Sequence, residues 1–141
     1  SWVCPGDYLK DVAIPALRKG SARSGRTKVP PLVAHAPICV HENIKEVREA
    51  VNAQLATYYL EFDFYRKMFV EAGYPEAEAR IWSDEMLDAV VLWGSEDKVA
   101  SSIQKLFSIG ASEIIVTIIK AGSDATKSRK RAINLISELS N

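Results

Sequence analysis

The sequence predicts an α/β fold of helices and buried parallel strands, and three observations carry that expectation. Two apolar runs bounded by turn residues, 32–40 and 113–119, read as strands. Each follows a helical pattern that ends in glycine, Gly25 in one case and Gly110 in the other, which is the rhythm of βα units. The second run, Glu113 to Ile119, is β-branched and apolar on both faces, as strands covered by helices are.

The first element is a helix from Asp7 to about Ser24, with Leu9, Val12, Ala13, Ala16 and Leu17 on one face. Pro15 either kinks it or opens a restarted helix from within a first turn. Pro30 and Pro31 lead into the strand 32–40, where Pro37 favours an edge or a bulge. Asn43 and Glu46 have capping-box spacing and open a long amphipathic helix. Its stripe of Ile44, Val47, Val51, Leu55, Tyr58, Phe62, Tyr65 and Phe69 runs in steps of three and four to Gly73. An acidic helical stretch follows Tyr74-Pro75, with Ser83 as a cap, and Val90 to Trp93 reads as an apolar connector. Ser95 caps the next helix, whose first turn carries Glu96 and Asp97. The loop 120–124 leads to a closing helix from about Ala125 to Leu139.

Composition narrows the function. The chain has 141 residues, sized for one domain, and is 48% hydrophobic and 26% charged, which excludes disorder as its main state. Eighteen basic residues balance eighteen acidic ones, so no global field attracts nucleic acid or an anionic membrane. No apolar run reaches the roughly 18 to 20 residues of a membrane helix and no signal peptide is evident, so the expected location is the cytoplasm. Cys4 and Cys39 form neither a disulfide framework nor a metal-binding cluster, and both are expected as free thiols. Two parallel strands with open edges are not a stable end state. The chain is therefore expected to be a piece of a larger α/β fold, or a protomer that completes its sheet in a homodimer or larger homo-oligomer.

Three stretches carry a resemblance to a known family. Tyr8 to Gly20, with Ala22 to Arg26, resembles the helix after the sixth barrel strand of luciferase-like monooxygenases, particularly their deazaflavin-dependent branch. Pro31 to Val40 resembles their seventh strand. Trp93 to Val99, continuing through Ile109-Gly110-Ala111, resembles the helix leading into the eighth, with Glu113 to Ile119 as that strand. The resemblance implies a single partial domain over 1–141, the C-terminal part of a (β/α)₈ TIM-type barrel, a fold of about 250 residues when whole. Its two strands would be 32–40 and 113–119, with a helical insert over about 43–92. It implies an oxidoreductase or monooxygenase using the deazaflavin F420 or FMN, not catalytic as this segment alone because the early strands have no counterpart here. The alternative, from a different class, is a non-catalytic oligomerising module derived from that fold.

Barrel function sits at the carboxyl ends of strands, and phosphate sites often follow the last two. That rule selects His41, with Glu42 and Asn43, after the first strand, and Lys120, Gly122, Ser123 and Asp124 after the second. His41 is the candidate for acid–base work, and Lys120, Gly122 and Ser123 are candidates for cofactor phosphate. Asn43 is equally explained as a helix cap, Ser123 or Asp124 as another, and Gly122 as a turn. His35 alternates with apolar neighbours and reads as a satisfied lining histidine. The resemblance places Trp2, Cys4 and Tyr8 near the barrel mouth. Tyr58, Tyr59, Phe62, Tyr65 and Arg66 are candidates for a substrate wall or a subunit interface, the latter favoured because interfaces are rich in aromatics and arginine. Lys127, Arg129, Lys130 and Arg131 read as the solvated face of the last helix.

Overall fold

A computed structural model describes residues 2–56 and 60–140. The chain enters through a helical turn at Gly6–Tyr8, widens into a π-helical turn at Leu9–Ala13, and continues as α1, Ile14–Arg23. The π turn resolves the Pro15 alternatives. The Ile14 N–H bonds back five residues to the Leu9 carbonyl, and the widened turn lets Pro15 enter in the first turn of α1, where its missing N–H costs nothing.

Strand β1, Leu32–Val40, lies at the centre of a parallel three-stranded sheet, between β2 (Leu92–Gly94) and β3 (Ala111–Ile118). Strand β3 is Ala111–Ile118 and pairs along most of β1, with a bulge that skips Ser112. The third strand, β2, is Leu92–Gly94, which the apolar pattern alone reads as a connector. Three residues are too short to show a period, but Ile38, Cys39 and Val40 pair with them and close the other edge of β1. Pro37 sits in this central strand rather than at an edge. It lies just before the stretch paired with β2, so its missing N–H interrupts little of that short ladder.

The expected long helix from Asn43 to Gly73 is not continuous. It runs as α2, Ile44–Val51, then a π turn at Asn52–Ala56, and resumes as α3, Asp63–Glu71. Phe62 is extended (φ −93°, ψ 126°), so the aromatic stripe is divided between two elements, and Arg66 holds the break by donating to the carbonyls of Leu60 and Glu61. Beyond it come a 3₁₀ turn at Pro75–Ala79, α4 at Asp84–Val90 capped by Ser83, α5 at Glu96–Ser108 capped by Ser95, and α6 at Ala125–Leu139 capped by Asp124.

The two faces of β1 bury different partners. Ala36, Ile38 and Val40 pack on Val99 and Ile103 of α5 and on Ala132 and Leu135 of α6. Cys39 on the other face joins Ile119, Ala121 and Val3 in a core built mostly by the insert, including Val47, Val51, Phe69, Met86 and Leu87. The insert is thereby fastened over the carboxyl ends of β1 and β3, while lower on the same face Ile115 stays 48% exposed.

Candidate functional site

In open and closed parallel sheets alike, ligands gather outside the carboxyl ends of the strands. Here those ends bring together His41, Glu42 and Asn43 after β1 with Lys120 to Asp124 after β3, as expected from the sequence. A cavity of about 270 Å³ is lined by His41, Glu42, Glu46, Ser123, Lys127 and Arg131, among others. A second of about 370 Å³ lies against Glu46, Glu49, Lys120, Gly122 and Ser123. A larger cavity, about 470 Å³, is elsewhere, between the entry turn, Tyr74, α4 and α5; Asp7, Glu85, Asp88 and Lys105 line it, and it meets the sheet at Leu92, the amino end of β2, away from the carboxyl ends of the strands.

Four contacts shape the strand ends. His41 Nε2 lies 2.6 Å from Glu46 Oε2, while the other Glu46 oxygen accepts from Asn43 Nδ2 at 3.1 Å. Asn43 also caps α2, its side-chain oxygen accepting from the Lys45 N–H. Gln54, presented by the π turn, grips the Lys120 backbone from both sides, donating to its carbonyl at 2.9 Å and accepting from its N–H at 3.4 Å. Buried Ser128 donates to the Val40 carbonyl, tying α6 to the end of β1.

Gly122 is needed here for two reasons. Its φ is +82°, and a Cβ would stand 2.7 Å from both Glu46 Oε2 and His41 Cε1. We expect Gly122→Ala to cost roughly 1–3 kcal/mol through strain and crowding. Thermal melts, with amide shifts at Ala121 and Ser123, check it.

Arg131 is not on the solvated face of α6. It donates to both oxygens of Glu42, at 2.6 and 3.0 Å, and to both of Glu96, each at 2.6 Å, clamping the β1 loop and α5 onto α6. These bonds hold Glu96 down at about 2 and lower Glu42 as well. Carboxylates held below their unfolded value lend stability above about pH 4.5 that is lost as pH falls toward 2. The Arg131→Met variant is expected to lose stability at neutral pH and to show a flatter fall in that window, read from urea midpoints against pH.

On the face of the sheet opposite α5 and α6, His35 is buried and fully paired. Its Nδ1 accepts from the Val3 N–H at 3.2 Å, so its Nε2 donates to Thr117 Oγ1 at 2.8 Å. Trp2 stacks on the imidazole, centroids 3.8 Å apart and planes within 6°. Val3 takes φ +47°, a costly conformation for a β-branched residue, and is fully buried. Burial pushes the imidazole down to about 4, so it is neutral at physiological pH.

Phe62, Tyr65 and Arg66 line none of these cavities. Phe62, Phe64 and Tyr65 form their own ring cluster on the insert, with centroids 4.4 to 6.5 Å apart, and Arg66 pairs with Asp63. Tyr58 and Tyr59 lie outside the described residues. Cys4 and Cys39 are free thiols that burial raises to about 11, which makes them poor nucleophiles. Among the described residues no His, Cys, Asp and Glu cluster is arranged to hold a metal, and no helix is long and apolar enough to cross a membrane. Sequence reasoning missed Glu46, Gln54 and Arg131 as site residues. Glu46 is signalled only as a cap partner, and nothing in the spacing of Gln54 or Arg131 announces which loop each reaches.

No curated protein matches the sequence. Among solved structures, the fold is shared with an F420-dependent secondary alcohol dehydrogenase in complex with an F420-acetone adduct, at a TM-score of 0.67 and 13% identity. The alignment covers 96% of this chain and 41% of that enzyme, so the chain spans well under half its length. At this identity the likeness is one of fold, and it bears out an α/β architecture that corresponds to part of a luciferase-like barrel. The family model for luciferase-like monooxygenases matches residues 2–113, most of the chain. This chain belongs to the luciferase-like monooxygenase family.

Proposed function

We propose that this chain is the C-terminal part of a cytoplasmic luciferase-like oxidoreductase that works with a flavin or deazaflavin, forms a single partial-barrel domain, and does not catalyse alone. The observation that carries the reading is the family match together with a chain, built on a three-stranded parallel sheet, that covers 41% of an enzyme with that fold. The remaining strands of such a barrel would supply most of the surface that orients a cofactor ring.

The strand-end loops of this chain do not fit the phosphate of such a cofactor. The Glu46 carboxylate occupies the space beside Gly122, Asp124 already takes the Lys127 N–H at the start of α6, and Arg131 is shared between two carboxylates. Lys120, Gly122 and Ser123 therefore lie on a surface where the acidic side chains Glu42, Glu46, Glu49 and Asp124 outnumber the basic Lys120, Lys127 and Arg131.

A second reading is favoured by the uncovered edge of β3, an apolar β-branched strand with Ile115 exposed: a module that pairs with a second copy, forming a homodimer or larger assembly. Light scattering on protein titrated with FMN and with the deazaflavin tests both. The first reading expects neither cofactor to bind saturably to the chain alone, and saturable binding of either would overturn its non-catalytic clause. The second expects a dimer or larger; a monomer with protected amides along β3 would sink it.

A further inference from the structure

A histidine and a glutamate stand side by side in the wall of the strand-end cavity. His41 is only partly exposed, and its imidazole is backed by a carboxylate at 2.6 Å. That carboxylate is itself oriented by Asn43, so both of its oxygens are committed. An imidazole whose Nε2–H is held by a carboxylate has its tautomer set, which leaves Nδ1 as a lone-pair acceptor. Among the described residues Nδ1 has no hydrogen-bond partner. The loop after β3 passes so close to the ring that only glycine fits at position 122. His41 and Glu46 both stand in the wall of the cavity of about 270 Å³, beside Ala121 and Ser123.

We propose that His41 Nδ1, with Glu46 behind Nε2, is the acceptor for an uncharged ligand that presents an O–H or N–H donor to the strand-end cavity. The same carboxylates that make the cavity unfit for phosphate make it fit for such a donor. Glu46 fixes Nδ1 as the acceptor by holding the Nε2–H, and Glu42, Glu46 and Asp124 outnumber Lys127 and Arg131 in the cavity wall, so no excess of positive charge draws an anion in place of a neutral group. The inference rests on the strand ends being the ligand-facing side of the molecule, and it requires no bound cofactor.

Nitrogen NMR of the His41 ring in the intact chain tests it. With the ring neutral, the expected result is the Nε2-protonated tautomer in the unaltered protein and a mixture of tautomers in Glu46→Ala. Phenol, an uncharged O–H donor small enough for the cavity, is expected to shift the Nδ1 resonance saturably. Anisole, the same ring without the donor, is expected to leave it unmoved, and inorganic phosphate to leave the Gly122 and Ser123 amides unmoved. An Nδ1-protonated tautomer in the unaltered protein, equal responses to phenol and anisole, or saturable phosphate shifts would each overturn the proposal. These readouts come from the unaltered chain, so they stand even where the variant fails to fold. They are also separable from the oxidoreductase reading, which fails or survives on cofactor titration.

Discussion

Phe69→Ala is expected to destabilise the chain by about 3–5 kcal/mol, a large share of the roughly 5–15 kcal/mol that holds a domain folded. Phe69 is fully buried on α3 at the middle of the insert core. Its ring meets Tyr74 and Trp82 edge-on, with centroids 6.2 and 5.4 Å away, and its carbonyl accepts from the Tyr74 N–H at 2.9 Å. Truncation forfeits the burial and both aromatic contacts, each worth about 0.5–1.5 kcal/mol beyond area, and leaves a cavity among rings too rigid to collapse into it. The melting temperature should fall on the order of 10 °C. Phe64→Ala on the same helix is the control: Phe64 is 63% exposed and loses only its ring contacts with Phe62 and Tyr65, so it should cost about 1 kcal/mol, well below Phe69→Ala. The consequence should also reach the strand ends, because Cys39, Ile119 and Ala121 belong to the same core as Phe69. Faster amide exchange at Ala121 and Gly122 in Phe69→Ala would show it. A drop confined to the insert, with those amides unchanged, would mean the insert and the strand ends are not energetically joined.

What the sequence made legible was whatever a short-range signal dictates. Strand β1 occupies the expected 32–40 because prolines and polar residues bound its apolar run on both sides, and α6 spans the expected 125–139 between Asp124 and Ser140. Asn43, Ser83, Ser95 and Asp124 all cap helices through their side chains, since capping depends on residues two or three positions apart. The long insert helix failed for a physical reason that periodicity does not register. Its apolar stripe continues across the break, so burial alone is compatible with one rod, but the π turn at Asn52–Ala56 and the extended Phe62 turn α3 toward a core shared with Val90 and Trp82. Strand β2 was illegible because three residues acquire strand character only from the neighbour they pair with. The site divides the same way. His41, Gly122 and Ser123 follow from the rule that parallel strands present ligand-facing residues at their carboxyl ends. Gln54 and Arg131 reach the same place across 66 and 89 positions of sequence, and no local spacing encodes such a contact.

The chain should also lose stability between about pH 6.5 and pH 4, and His35 should be the cause. An imidazole in the unfolded chain takes up its proton near pH 6.5, whereas burial holds His35 in the folded protein down to about 4. Between those values the unfolded state binds more protons than the folded one, so stability falls with falling pH. Above pH 7 both states are neutral and the effect vanishes; below 4 both are charged and the loss is complete, at about 3 kcal/mol. Structurally, a protonated Nδ1 would point a second donor at the Val3 N–H, and the charge would lie under Trp2 with no carboxylate bonded to the ring. The Arg131 clamp acts below about 4.5, so the two contributions separate along the pH axis. Urea midpoints measured from pH 7.5 to 3 should slope most steeply between 6 and 4.5 in the unaltered chain. His35→Asn removes the ring's titration and should flatten that interval, even though it lowers stability at neutral pH by breaking the Val3 and Thr117 bonds. An unchanged slope in His35→Asn would assign the acid sensitivity to other groups and would mean that the inner face of the sheet admits a charged imidazole at little cost.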